Sequence, residues 1–412
     1  MQKSPFDLKL IQRINQFRET YPRQIWLLFW GTLISTTGMS MIWPFLVVYI
    51  SEQLALPLTT ITSLIALNSL MSLATSFIAG SIADRMGRKW AMVVSLAVNG
   101  LAFLAMIPAT TYLHYAVLMA IRGAFQPLYR VGNDAMLADL VPADQRADAY
   151  ALNRLGKNVG VAMGPALGGV FITISYGITF AIASAGTIFF SVLIALFAFE
   201  TLPEAARKAA EDKLSPTLTG FRKIFTDRIF MTFILAFILR QVAASILWVL
   251  LAAYAKQNYG ISENLYGLIP TTNALMVVFL QLAVTKKTKH YQPLKIMGWG
   301  TLLYGLGVGS VALGGGFWGF WISMVIVTVG ELMVIPTASS YTANRAPEKL
   351  RGRYMSLLAL TWGAGSMIGP LLGGFLNDQI SPVAIWWGGG AAGTLGALIY
   401  FGMWFKKRAP AA

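Results

Sequence analysis

Apolar stretches of 18 or more residues recur along the whole of this chain, and each is long enough to cross a hydrocarbon core of about 30 Å. The short alternating strands of a membrane barrel are absent, so the spanning elements are helices, which satisfy their backbone polar groups internally. Composition agrees: 56% of the 412 residues are hydrophobic and 12% charged, against about 25% charged in an ordinary soluble domain. Hydropathy predicts twelve spans, near residues 24–50, 60–83, 91–108, 113–139, 149–172, 178–199, 228–256, 264–284, 293–313, 317–343, 351–376 and 382–405. Residues 1–23 are charged and amphipathic with no small-residue cleavage site, so no signal peptide is expected.

The formal charge of +15 would suggest nucleic acid in a soluble protein, but its distribution points elsewhere. If the N-terminus is inside, the inner segments hold Lys3, Lys9, Arg13, Arg18, Arg23, Arg85, Arg88, Lys89 and Arg146. They also hold six cations between 207 and 228, then Lys286, Lys287, Lys289, Lys295, Arg345, Lys349, Arg351, Arg353 and Lys406–Arg408. The outer loops hold almost none, Lys256 being the nearest. This is the positive-inside bias, and it predicts cytoplasmic termini in a multi-pass inner-membrane protein. Phe6, Leu10, Ile14 and Phe17 share one helical face, so residues 5–20 are expected to lie on the inner leaflet. There is no cysteine, which excludes a disulfide framework, a thiolate metal site and a thiol nucleophile.

The spans divide six and six about a polar stretch, Glu200–Arg228, and the halves repeat. Gly160-x-x-x-Gly164-Pro165-x-x-Gly168-Gly169 recurs as Gly365-x-x-x-Gly369-Pro370-x-x-Gly373-Gly374, offset by 205 positions (369 − 164). Pro142, Arg146 and Trp43 match Pro347, Arg351 and Trp248 at the same offset. The expected organisation is an amphipathic segment (1–23), a six-helix bundle (24–199), a linker (200–227), a second six-helix bundle (228–405) and a tail (406–412). Parallel halves of this kind are a transporter plan, with the site between them near the midplane.

The loop after the second span reads Gly80-Ser-Ile-Ala-Asp84-Arg85-Met-Gly87-Arg88-Lys89. It resembles the signature loop of the major facilitator superfamily, G-x-L-A-D-R-x-G-R-K, with only Ile82 departing. The resemblance implies the major facilitator fold: twelve transmembrane helices in two pseudo-symmetric six-helix bundles. In that setting Asp84, Arg85, Gly87, Arg88 and Lys89 form an inner gate. Gly80 lets another helix approach closely, Gly87 permits a tight turn, and Asp84 can sit against a helix N-terminus. Asp139, at the inner end of the fourth span, resembles the acidic partner of the loop arginines. The matching loop of the second half, Thr285-Lys-Lys-Thr-Lys289-His290-Tyr-Gln292, has lost the Asp and Gly, so the gate is expected to be asymmetric.

The glycine-rich fifth span resembles the antiporter motif of the drug:proton antiporter group, which points to export. Its copy in the eleventh span is equally explained by close helix packing through Gly160, Gly164, Gly168, Gly169, Gly369, Gly373 and Gly374, with kinks at Pro165 and Pro370. The fourth span carries Arg122, Gln126, Arg130, Asn133 and Asp134. Arg122 resembles the family's fourth-helix arginine, although Gly123 follows it directly and Gln126 comes at +4, where the family has Gln at +3 and Gly at +4. Arg130 and Asp134 stand at i, i+4 and can pair. The tenth span carries Gly330-Glu331-Leu-Met-Val-Ile-Pro336, similar to some proton-coupled multidrug antiporters and to peptide transporters. Glu331 is the one acid near the midplane of the second half, its counterpart being Gln126, and Arg240 is the plausible counter-charge. A buried carboxyl can load and release a proton near neutral pH, which makes Glu331, and after it Asp134, the proton-coupling candidates.

The remaining wall is expected to be aromatic and polarisable, with Arg122, Gln126, Arg130, Arg240, Trp43, Trp248 and Trp362 as cavity residues and Tyr254, Met276, Trp299 and Tyr304 as further candidates. The reading is a proton-driven exporter of hydrophobic or amphipathic organic compounds, with small-molecule substrate, protons and lipid as partners and a monomeric state. The alternative is a proton-coupled symporter or exchanger of small organic anions, peptides or other metabolites, since Arg122, Arg130 and Arg240 can hold an anion. Against peptides, the first span lacks a membrane acid and the E-x-x-E-R-F-x-Y-Y-G pattern. An enzyme is not expected: His114 and His290 are peripheral, no metal-spaced cluster or G-x-S-x-G elbow occurs, and without a P-loop neither ATP nor another cofactor is implied.

Overall fold

The computed structural model describes residues 21–142, 145–204, 224–347 and 350–408. The surface helix expected over 5–20, most of the linker and the end of the tail fall outside them. Among the described residues the chain is helix and turn throughout, with no strand. In order, the helices are α1 (Arg23–Ile42), α2 (Leu46–Leu54), α3 (Leu58–Ser76), α4 (Ala79–Met86), α5 (Arg88–Ala105), α6 (Tyr112–Leu140), α7 (Arg146–Ile174) and α8 (Tyr176–Phe197). Then follow α9 (Arg228–Tyr259), α10 (Glu263–Thr288), α11 (Pro293–Ser310), α12 (Gly316–Arg345), α13 (Arg351–Gln379) and α14 (Ala384–Arg408).

Two predicted spans are interrupted. Pro44 has no amide to donate, and the first pass tightens into a 3-10 turn at Trp43–Phe45 between α1 and α2. In the second pass the Ser76 hydroxyl donates back to the Ser72 carbonyl (2.7 Å), and Phe77 and Ile78 turn through i→i−3 bonds before α4 begins. Taking α1 and α2 as one pass, nine helical segments among the described residues are long and apolar enough to cross a membrane. The other three long helices, α6, α11 and α14, run for 29, 18 and 25 residues. α6 loses hydropathy to Arg122, Arg130, Asp134 and Asp139, and α11 and α14 lose it to glycine.

The helix pairing repeats. In the first group α1 packs on α7 and α8, α3 on α6, and α5 on α6 and α8. In the second, α9 packs on α13 and α14, α10 on α12, and α11 on α12 and α14. The two groups meet where α7 lies on α10 and α13 lies on α3, contacts that exchange under the 205-residue repeat.

One end of the molecule carries the basic segments 85–89, 139–142, 145–146, 286–295, 345–347 and 350–353; the opposite face carries residues 52–58, 106–112, 174–176, 256–263 and 376–384. At the opposite face a single apolar core runs through both groups, joining Ile42, Leu46 and Ile61 to Leu247, Leu250 and Tyr266. At the basic face the core is divided. Ile25, Leu28, Met92, Met136 and Phe190 form one cluster in the first group; Phe230, Phe233, Met297, Val334 and Tyr400 form another in the second.

Candidate functional site

The basic-face loop is built on Gly87, whose φ of +88° suits glycine and whose added Cβ would collide with the Glu200 carboxylate. Glu200 accepts the first two amides of α5, from Arg88 and Lys89, at 3.1 Å each. Orphan N–H groups at the head of a helix attract a carboxylate in this way. Arg88 pairs with Asp139 and donates to the Ala135 carbonyl (3.3 Å), which fastens the loop to the end of α6. Asp84 is exposed here, and a Cβ on Gly80 would meet open space. The close helix approach expected at Gly80 is therefore absent, because the groups are parted at this end. Lys89 sits over the Trp90 ring.

In the first group, Gln126, Arg130 and Asp134 lie at successive i+4 positions of α6, and all three are exposed. Asp134 accepts from Asn133 Nδ2 (3.4 Å), while Tyr150 of α7 donates to its backbone carbonyl (2.8 Å). The ion pair expected between Arg130 and Asp134 does not form within 4 Å; Arg130 and Lys157 of α7 act on the Asp134 carboxylate only through space. Lys157 and Arg154 of α7 are exposed as well, and no sequence motif marks either. An ionised side chain facing hydrocarbon costs about 2.5–3.5 kcal/mol, so this patch faces the aqueous side of the group. Arg122 does not line it. Arg122 is 2% exposed, and its guanidinium carbon lies over the Phe103 ring, 3.7 Å from the centroid.

The second group treats its interior charges differently. Arg240 is 1% exposed, stacked 4.0 Å over Tyr304 and bonded to Gln241. Arg240 and Glu331 form no ion pair. Glu331, half-buried on α12, instead accepts a hydrogen bond from Asn273 Nδ2 of α10 at 3.0 Å. Asn273 is buried and also bonds Thr328 (2.9 Å). A neutral amide thus holds the one midplane acid of this half. Nothing in the hydropathy pattern marks Asn273; its polarity inside an apolar span was the available signal.

Of the aromatic candidates, Trp43 and Trp248 are half-buried against the shared core and Trp362 is 49% exposed. Tyr254 and Tyr304 are core residues, the first packed on Trp386 and Phe320, so neither lines an open cavity. Trp299 packs edge-on against Phe401 of α14. Among the described residues no group of three His, Asp or Glu side chains is placed to hold a metal.

The two glycine rows have one geometry. Added Cβ atoms at Gly160, Gly164 and Gly168 would strike α1 at Leu33, Ser40 and Met41. At Gly365, Gly369 and Gly373 they would strike α9 at Gln241, Ser245 and Leu250. The last glycine of each row faces the other group: an added Cβ would strike the Glu263 carbonyl at Gly169, and Thr59 and Thr62 at Gly374. The rows therefore pack each group internally and also set the seam between groups. Pro165 and Pro370 sit inside α7 and α13, where they remove an amide donor from each.

Two parallel halves, a Gly-turn loop on the basic face and ionisable groups within the helices are the plan of a membrane transporter. The sequence matches the family model of the Major Facilitator Superfamily over residues 28–244 and again over 234–412, and the chain belongs to that family. It is 26% identical over 372 residues to a Na+, Li+, K+/H+ antiporter of Planococcus maritimus, covering 83% of this chain and 86% of that one. It is 24% identical over 360 residues to the quinolone resistance protein NorA of Staphylococcus aureus, covering 86% and 90%. Among solved structures it resembles the nucleoside transporter NupG (TM-score 0.77, 14% identity, 92% of this chain and 98% of that one). It also resembles a POT family transporter in complex with a thioalcohol-conjugated peptide (0.76, 18%, 93% and 96%). These two likenesses show the fold. The chain is thus a multi-pass membrane transporter and not an enzyme.

Proposed function

We propose that this transporter exports hydrophobic or amphipathic organic compounds in exchange for protons, by rocking its two bundles about a central site. The observation that carries the reading is Glu331: an ionisable carboxyl within α12, held by the Asn273 amide and not neutralised by Arg240. A carboxylate bonded to one neutral donor can take a proton or face a cationic substrate, and each excludes the other. That competition is what antiport requires. The antiporter and drug-resistance relatives support the direction of transport. The basic face is the cytoplasmic one by the positive-inside bias, and both described ends of the chain approach it. On that assignment the divided core at the basic face describes a state open to the cytoplasm. The protein is read as a monomer of the cytoplasmic membrane, with bundles over residues 24–199 and 228–405.

A second reading has its own support. Arg130, Arg154 and Lys157 outnumber Asp134 on the first group's exposed face, which suits a small organic anion. Proteoliposomes with an imposed pH gradient separate the two. Lipophilic cationic dyes should accumulate against their gradient and compete with one another; competition by organic anions alone would favour the second reading.

A further inference from the structure

The opposite face is closed by polar contacts as well as by the shared apolar core, and these contacts cross from one group to the other. Lys256, near the end of α9, pairs with Glu263 of its own group and with Glu52 of α2 in the other. Glu263, the first residue of α10, also accepts from the Tyr176 hydroxyl at the head of α8 (2.8 Å). A four-residue network thus joins two helices of each group around one lysine.

The second contact lies on the other side of the seam. α3 begins after Pro57 and has no side-chain cap of its own, so its first amides are orphans. They are satisfied from the other group: Asp378, at the end of α13, accepts from Leu58 N (3.2 Å), Thr59 N (2.7 Å) and Thr59 Oγ1 (2.7 Å). A negative charge at a helix N-terminus is favourable, and charge-assisted bonds are about twice as strong as neutral ones. α3 therefore borrows its cap from the partner bundle and has it only while this face is shut. Each contact lies beside one of the seam glycines, Gly169 against Glu263 and Gly374 against Thr59.

We infer that the Glu52–Lys256–Glu263–Tyr176 network and the Asp378 cap on α3 are a two-point latch that holds this face shut and releases when the transporter opens there. The inference rests on the alternating-access part of the proposed function. The chain contains no cysteine, so single reporters can be introduced directly. Thr62 is fully buried and meets the Gly374 position at the seam; Leu73 meets Gly363 further toward the basic face. In purified protein, maleimide labelling of Thr62→Cys should be slow. Adding Asp378→Ala or Lys256→Met should speed it by about tenfold, and adding both should speed it further. Asp378→Asn, which keeps the shape and an acceptor oxygen, should give a smaller rise and guards against misfolding of the alanine variant. Labelling of Leu73→Cys should slow in the same variants if the faces alternate. Faster labelling at Thr62→Cys with Leu73→Cys unchanged would leave the latch standing and sink alternation. Unchanged labelling at Thr62→Cys in Asp378→Asn, Lys256→Met and their combination would overturn the latch.

Discussion

Glu331 and Asn273 differ in how visible they are in a sequence. An acid in an apolar span is conspicuous because ionised side chains are costly there, whereas an asparagine in α10 reads as ordinary interior polarity. Their 3.0 Å hydrogen bond makes Asn273 the group that orients the carboxylate. Replacing Asn273 with Leu removes the donor that orients the carboxylate, so pH-driven transport should weaken and its pH profile change while the chain still inserts. An unchanged pH profile in Asn273→Leu would detach it from coupling. Arg122 and Arg240 show the limit of the pattern. Both were expected at the cavity, and both lie closed over aromatic rings, because a guanidinium can be sheltered by a π-face that no spacing rule reveals. Glu200 was read as the start of the linker, and its capping of α5 depends on two chain segments more than 110 residues apart.

Asp227 carries a pH-dependent contribution to stability. It caps α9 through Phe230 N (3.1 Å) and accepts from Arg345 Nη2 (2.7 Å) and from Tyr354 (3.2 Å). Burial alone would raise its proton affinity, but Arg345, the Phe230 amide and Tyr354 outweigh burial and hold the carboxyl below its usual value. A depressed value means stability that is present above the unfolded value of ~3.9 and lost as pH falls through the folded one. Thermal unfolding in detergent should therefore show Asp227→Asn less stable than the parent at pH 7 by about 1 kcal/mol or more. The gap should narrow below about pH 4. A gap that stays constant between pH 3 and 7 would contradict this account of Asp227.

At the scale of elements, the informative objects are the two glycine rows on α7 and α13. Their repetition was legible from the 205-residue offset. The interruptions at Trp43–Phe45 and after Ser76 were not, since an apolar run does not show where a proline or a serine hydroxyl redirects the backbone. Position within a row decides function. Gly365 faces Gln241 of its own group, so Gly365→Val should lower the melting temperature through overpacking of about 1–3 kcal/mol. Gly374 faces the other group, so Gly374→Val should mainly open the seam, read as faster labelling of a nearby single cysteine. Equal loss of stability in both variants, without a change in labelling, would contradict this division.

Across the whole molecule, the α3–α13 contact carries an acid at each end. Asp378 caps α3 at the closed face, while Asp84, just beyond α3, stands exposed at the parted face. α13 begins after Leu350 with no side-chain cap of its own. Closing the basic face should bring Asp84 to that uncapped end, so Asp84→Asn should slow transport without preventing insertion. The orientation follows from the basic loops: tags on residues 1–5, 205–212 and 408–412 should all be protease-inaccessible from outside. The central claim, that a proton on Glu331 drives export, is tested most directly by Glu331→Gln in proteoliposomes, measured with and without a pH gradient. The account predicts that uphill, pH-driven accumulation of a lipophilic cation stops while downhill exchange partly survives, because the variant mimics the protonated carboxyl in shape. Accumulation against the gradient at near-parental rate in Glu331→Gln would contradict it and pass the role to Asp134.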